Sequence, residues 1–151
     1  MSEALQTILD HKEFARGRCW KEVLFEANET ILREGDSSRD LYLIIKGVVR
    51  VNMAVDVAPG QHLESGLMEM THGETFGELN LFGLADRIAS VVALSTTRLI
   101  CINGAALTAF MDKYPEFGYP VLKDYLIKHA DMLRTAKARI SELYADKLSH
   151  E

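Results

Sequence analysis

The most informative stretch of the sequence is GETFGELNLFGLADRIASV, residues 73–91. It sets a glycine-flanked carboxylate, Glu78, nine positions before a lone arginine, Arg87. Gly77 would let backbone pass close to a ligand where a Cβ would obstruct it. Glu78 supplies an acceptor suited to a sugar hydroxyl, and Arg87 supplies a planar fork of donors suited to a phosphate. Free amides at the start of residues 79–84 would add to an anion site.

A structural interpretation of the same pair also fits the spacing. Glu78 and Arg87 would then form a salt bridge that closes a loop, with no ligand between them. Sequence spacing does not separate the two alternatives, and both stay open at this point.

The sequence around this stretch is typical of an all-β sandwich or barrel, with short apolar runs separated by turn residues. The predicted strands cover residues 23–25, 30–32, 41–45, 48–51, 66–70, 89–94 and 98–102. Lys46 and Gly47 lie between two of these runs and predict a tight hairpin turn with a positive φ at the glycine. Residues 34–38 and 58–60 are predicted loops, and residues 51–71 contain either a loop or an extended hairpin.

Helical patterns precede and follow the β region. Residues 2–14 predict a short amphipathic helix that is capped by Ser2 and ends at Gly17. Residues 105–113 predict a second helix. A single long helix is predicted from Tyr119 to about residue 148, after prolines that interrupt or restart the chain.

The long helix carries an apolar stripe with alternating spacings of four and three. Its positions are Leu122, Leu126, His129, Leu133, Ala136, Ile140 and Leu143. This repeat predicts a coiled-coil seam with a second chain, because a helix of roughly 45 Å exceeds what the sandwich can cover. Packing of the stripe on the strands of its own chain is the alternative. His129 is predicted to be packed or hydrogen-bonded rather than a metal ligand, since no second histidine lies one turn away.

Length and composition predict one domain over residues 1–151. The formal net charge of −5 disfavours broad binding to nucleic acid phosphates. Cys19 and Cys101 are too far apart to indicate a disulfide framework or a zinc site, and His62 and His72 are ten positions apart, so no metal site is predicted. No signal peptide or membrane-length apolar run is evident, which predicts a cytoplasmic protein without membrane contact.

Several motifs follow one another over about residues 20–102. They are Ile31 with Glu34-Gly35-Asp36, then residues 41–44 and 47–51, then Phe76-Gly77-Glu78-Leu79 with Arg87, Ala89 and Ser90. In this order they resemble the cyclic nucleotide-binding domain family, which occurs in bacterial catabolite activator proteins, regulatory subunits of cyclic AMP-dependent kinase and cyclic nucleotide-gated channels. The resemblance implies a mainly β fold: an eight-stranded jelly roll with a short N-terminal helix (2–14), a β-roll (about 20–102) and C-terminal helices (about 105–149).

The resemblance also implies a ligand and its contacts. Glu78 would accept the ribose 2′-hydroxyl of a cyclic nucleotide, and Arg87 would bond the cyclic phosphate. The backbone of four further residues would line the same cradle, namely Gly77, Leu79, Ile88 and Ala89. Val51 would face the base, and the long helix would correspond to the family helix that either forms a dimer or covers the base.

Three positions depart from the common family pattern. Asn80 stands where many members have alanine, and Asp86 places a negative charge beside the expected phosphate ligand, which weakens anion binding unless its side chain turns to solvent. Ile88 lacks the hydroxyl that relatives preferring cyclic GMP often carry after the arginine, so cyclic AMP is favoured.

The expected function is therefore a non-enzymatic cyclic nucleotide sensor that needs no cofactor. It would signal through its C-terminal helix, as a homodimer, to an unidentified effector protein. No helix-turn-helix follows the long helix before Glu151, so DNA binding is not expected. The alternative is an empty, degenerate jelly roll that acts as a dimerisation or interaction module.

Overall fold

The computed structural model describes the backbone of residues 3–59 and 61–150, with side chains except those of residues 55–58 and 61–67. The predicted Ser2 cap and Gly60 lie outside the described residues. The elements are α1 (Glu3–Leu9), β1 (Trp20–Phe25), β2 (Thr30–Leu32), β3 (Leu41–Lys46), β4 (Val49–Ala58), β5 (Gln61–Met70), β6 (Thr75–Phe76), a 3₁₀ helix (Glu78–Asn80), β7 (Ser90–Ala93), β8 (Thr97–Ile102), α2 (Gly104–Lys113) and α3 (Pro115–Ser149).

The strands form two antiparallel four-stranded sheets. Their strand orders are β1-β8-β3-β6 and β2-β7-β4-β5. The predicted eight-stranded jelly roll with a short first helix and a long last helix is confirmed. Each predicted strand is present, and β6, with only two residues, is the strand that the sequence pattern missed.

Alternation along β3 divides the interior into two cores. Leu41 and Leu43 face the helices, where they pack with α1, α2 and the start of α3. Ile44 faces the opposite way, into a second core between the two sheets that also contains Phe76 and Leu99. Because successive side chains of a strand point to opposite faces, one strand joins the helical layer to the β-roll.

The turn at Gly47 differs in one respect from its prediction. Gly47 has a φ of 108°, which confirms the positive value. However, β3 and β4 belong to different sheets, so the predicted hairpin is wrong and the turn carries the chain from one sheet to the other. The extended hairpin lies instead between β4 and β5, which pair from Val49 with Met70 to Ala58 with Gln61.

Two helix boundaries also differ. α1 ends at Leu9 rather than at Gly17, because the chain turns there and brings Phe14, 1% exposed, into the helical core. α3 begins at Pro115 and continues through Pro120. Proline fits the first helical position, and a proline in the second turn removes one backbone hydrogen bond without ending this helix.

α3 has 35 residues, and its two halves have different surroundings. In the first half Gly118 and Val121 are buried, and a Cβ on Gly118 would lie 2.7 Å from the Cβ of Met111 in α2. Residues 133–149 are all exposed. The leucines of the apolar stripe are exposed as well, with Leu126 at 73% and Leu133 at 71%, so the alternative that they pack on the strands of their own chain is wrong. None of the helices described in residues 3–59 and 61–150 is both long and apolar enough to cross a membrane.

Candidate functional site

The segment between β6 and β7, residues 77–89, which we call the cassette, starts at a crowded glycine. Gly77 has a φ of 91°, and a Cβ there would lie 3.0 Å from the Asp40 carbonyl oxygen and 3.1 Å from Arg87 Nη1. A side chain at this position would therefore meet both backbone strain and close contacts. The 3₁₀ helix Glu78–Asn80 follows directly, which places the Glu78 carboxylate at the start of the cassette.

The loop between β2 and β3 holds the cassette in place. Arg87 pairs with it through the backbone, since its N–H donates to Asp36 O at 2.7 Å and its carbonyl accepts from Gly35 N at 2.8 Å. Asn80 Nδ2 donates to Ser38 O at 2.7 Å. The Asn80 that departs from the family pattern thus contributes a buried hydrogen bond between the cassette and this loop.

The Arg87 guanidinium is fixed mainly by backbone carbonyls. Arg87 is 6% exposed; its Nη1 donates to Gly77 O at 2.6 Å, and its Nη2 donates to Asp40 O and, at 3.4 Å, to Ser38 Oγ. Burial lowers the pKa of this guanidinium, while the neighbouring Tyr42 and Asp40 act in the opposite direction. Arginine remains protonated under all such conditions, so the site keeps a positive charge.

The Glu78 carboxylate is held by side chains of α3. Its Oε1 accepts from Lys128 Nζ at 2.5 Å and forms a hydrogen bond with His129 Nε2 at 3.1 Å. Burial alone would raise the pKa of Glu78, but its bonds with His129 and Lys128 outweigh that effect and lower the pKa. Glu78 is therefore ionised at neutral pH. The prediction that His129 is packed or hydrogen-bonded is confirmed by its bond to Glu78.

Glu78 and Arg87 border a single cavity of about 420 Å³ between the cassette, the β-roll and α3. All six predicted site residues line it, namely Gly77, Glu78, Leu79, Arg87, Ile88 and Ala89. The ion pairs of Glu78 within the described part of the chain are with Lys128 and His129, so the alternative of a Glu78–Arg87 salt bridge is wrong. The two charged groups face a shared space instead of each other.

Each of these two side chains has one buried polar atom without a hydrogen-bond partner among the described residues: Glu78 Oε2 and Arg87 Nε. A buried acceptor or donor that lacks a partner costs roughly 1–3 kcal/mol, and more when it is charged. Such atoms call for an explanation in terms of water, an ion or a ligand. One anionic and one cationic residue of the same cavity thus each keep a polar atom without a partner among the described residues.

The other predicted positions have clear locations. Val51 lines the cavity on the β-roll side, as expected of a residue that would face a base. Asp86 is exposed but also lines the cavity, so solvent screens its charge while the charge stays near the expected phosphate position. Ile88 is 56% exposed at the cavity wall.

Sequence patterns missed the contribution of α3 to this site. Lys128 was recognisable only as one of several charges beside the apolar stripe, and nothing in its local sequence marks a bond to a residue 50 positions earlier. Other α3 residues also line the cavity, namely Asp131, Met132, Thr135, Ala136 and Arg139. Their spacing of three and four indicates one helix face, which is a usable signal once the position of the helix is known.

Comparison with known proteins agrees with this geometry. The family model described as cyclic nucleotide-binding domain matches residues 22–114. The chain is 32% identical over 124 residues to cyclic GMP-binding protein C of Dictyostelium discoideum, which covers 80% of this chain and 5% of that protein. It is 33% identical over 84 residues to the cAMP-dependent protein kinase regulatory subunit of the same organism, covering 56% of this chain and 24% of that one.

A solved structure has the same fold over most of the chain. The cyclic nucleotide-binding domain from Methylobacillus flagellatus superimposes with a TM-score of 0.71 at 24% identity, covering 82% of this chain and 67% of that one. The chain spans only 5% and 24% of the two curated relatives. The match extends over most of the β-roll and contains the whole cassette, and on these grounds the chain belongs to the cyclic nucleotide-binding domain family.

Proposed function

We propose that this chain is a non-enzymatic sensor that binds a cyclic nucleotide in the cavity between the cassette and α3. The observation that carries the proposal is that Glu78 and Arg87 line one cavity and that each has a buried polar atom without a partner among the described residues, Oε2 and Nε respectively. A ribose hydroxyl donates to the first atom, and a cyclic phosphate accepts from the second. The volume of about 420 Å³ falls within the range of roughly 300–1,000 Å³ that is usual for small-molecule sites.

Cyclic AMP is the ligand we favour over cyclic GMP. Ile88 lies at the cavity wall directly after Arg87 and offers no hydroxyl to a guanine base. Relatives of this chain are named for each of the two nucleotides, so family membership alone leaves the preference open. The argument for cyclic AMP therefore rests on the side chain at position 88.

Calorimetric titration of the purified chain with cyclic AMP and cyclic GMP tests the proposal. We expect heat with both and tighter binding of cyclic AMP. Arg87→Ala should weaken binding by tens of fold or more, because a charge-assisted hydrogen bond contributes about 1.5–3 kcal/mol. Arg87→Lys, which keeps the charge but not the fork of donors, should bind with intermediate affinity.

Arg50→Ala is the matched control for loss of one positive charge. Arg50 pairs with Glu69 at 3.1 Å on the surface and does not line the cavity. This variant should bind cyclic AMP as the wild type does. Equal binding by the Arg87→Ala chain would remove Arg87 from the site, and tighter binding of cyclic GMP would overturn the preference.

The exposed apolar stripe of α3 supports a second element of the proposal, a homodimer that signals to an effector protein through α3. Leu126 and Leu133 lie on a different helix face from Lys128 and Met132, which line the cavity, so a second copy can pack on these leucines without covering Lys128 and Met132. Light scattering should give twice the mass of one chain. Leu126→Ser combined with Leu133→Ser should give a monomer, and Leu24→Ser, at an exposed leucine of β1, should not. A monomeric wild type would contradict the dimer.

One observation favours a different function, that of an interaction module with an empty site. The Arg87 guanidinium already bonds two backbone carbonyls, those of Gly77 and Asp40, and so has a structural role without any ligand. Absence of heat with either nucleotide, together with a dimer in solution, would favour this second function.

A further inference from the structure

The two oxygens of the Glu78 carboxylate have different surroundings. Oε1 is bonded by Lys128 and His129 of α3, whereas Oε2 is buried without a partner among the described residues. The side chain is only 3% exposed, so water has little access to it. One oxygen is therefore bonded to α3, and the other has no partner among the described residues.

Lys128 makes a second bond that ties α3 to the β-roll. Its Nζ donates to the backbone carbonyl of Thr75 in β6 at 2.5 Å, in addition to the bond with Glu78. Residues 133–149 beyond it are exposed. The side chains of Lys128 and His129 thus bind α3 to β6 and to the start of the cassette.

We propose that Lys128, assisted by His129, is a positioning residue that couples the ligand to α3 through Glu78. Lys128 holds Oε1 and so presents Oε2 to the ribose hydroxyl. A ligand in the cavity excludes water, which strengthens the attraction between the Lys128 ammonium and Glu78. Because such coupling is reciprocal, the ligand holds α3 more firmly by the same factor by which Lys128 tightens the ligand. This inference rests on the proposed function.

The proposed coupling requires a ligand that carries a 2′-hydroxyl group. A cyclic nucleotide with a 2′-hydroxyl donates to Oε2, and a 2′-deoxy analogue has no donor at that position. The analogue should therefore bind more weakly and should add little to the hold on α3.

Variants at position 128 separate a positioning role from a merely structural one. Lys128→Met removes the ammonium and keeps a long side chain, and Lys128→Arg restores the charge. We expect Lys128→Met to weaken cyclic AMP binding by about two- to fivefold in calorimetry, as for the loss of one partly exposed ion pair. Lys128→Arg should recover most of that loss. Lys123→Met, at an exposed lysine of the same helix that does not line the cavity, should change nothing.

Hydrogen exchange of the amides in residues 119–132 supplies the second readout. Cyclic AMP should slow their exchange in the wild type and in Lys128→Arg, but only weakly in Lys128→Met, and 2′-deoxy cyclic AMP should have little effect in any of them. Wild-type affinity and wild-type protection in Lys128→Met would overturn the inference and leave the proposed function standing. A wild type that gives no heat with cyclic AMP would instead overturn the proposed function, and the inference with it.

Discussion

Arg87 and Glu78 are both buried charged residues of one cavity, yet they are held by different kinds of partner. Arg87 is bonded mainly to backbone carbonyls of the β-roll, at Gly77 and Asp40. Glu78 is bonded to side chains of α3, at Lys128 and His129. Backbone partners stay in place when side chains change, whereas side-chain partners depend on a helix about 50 residues further along the chain. The arginine region is therefore the fixed part of the site, and the glutamate region is the part that responds to α3.

The largest expected effect tests the fixed region. Gly77→Ala should lower the free energy of unfolding by about 2–3 kcal/mol, which combines about 1–2 kcal/mol for a left-handed alanine with crowding against Asp40 O and Arg87 Nη1. Gly35→Ala is the matched control, because Gly35 has a φ of 89° but nothing within 4 Å of an added Cβ. The Gly35→Ala variant should lose only the stability that a left-handed alanine costs, about 1–2 kcal/mol.

Urea unfolding followed by circular dichroism measures both glycine variants. The difference between them isolates the close approach of Gly77 to the β2–β3 loop and Arg87. Equal losses of stability in the two variants would mean that the backbone around Arg87 accommodates the added Cβ at no cost in free energy. The arginine region would then not be more rigid than the glutamate region.

A smaller effect tests the responsive region. Glu78 has a lowered pKa, so its stabilising effect is present above its unfolded value of 4.5 and is lost as the pH falls through the lower folded value. Glu78→Gln should therefore lower the free energy of unfolding by about 1 kcal/mol at pH 6, since Lys128 and His129 are partly exposed. The difference from wild type should shrink progressively as the pH falls below 4.5.

Glu69→Gln is the control for this pH series. The ion pair of Glu69 with Arg50 is exposed on both sides, at 55% and 46%, so its loss should change stability by less than about 0.5 kcal/mol at every pH. A Glu78→Gln difference that stayed constant down to pH 3 would show that the carboxylate charge does not fasten α3.

The same contrast explains which features the sequence predicted. Gly77, Glu78 and Arg87 lie within eleven residues, and the chemistry of each indicates its place beside a phosphate or a sugar, so their arrangement around a cavity was predictable. The strands were predictable because apolar runs between turn residues favour one local conformation. The cross-sheet turn at Gly47 was not, because local sequence indicates a turn without indicating which sheet the next strand joins.

The bonds of Lys128 and His129 to Glu78 could not be predicted for a related reason. They depend on the path of α3, which the local sequence around Pro115 and Pro120 does not specify, and the structure shows one helix that begins at Pro115 and continues through Pro120. The apolar stripe predicted the orientation of the helix correctly in one respect, since its leucines face away from their own β-roll. The dimer that this stripe favours stays a prediction.

The close contact of Gly118 with Met111 holds α3 near its start, and a much longer part of the helix extends beyond this contact. Gly118 is buried near the start of the helix, and Ser149 lies 31 residues further on, roughly 47 Å away at 1.5 Å per residue. A tilt of α3 by about 10° at Gly118 would displace the C-terminal end of the helix by about 8 Å. At Lys128, roughly 15 Å from Gly118, the same tilt would amount to about 2.6 Å, so a displacement beside the cassette would be about three times larger at the C-terminal end.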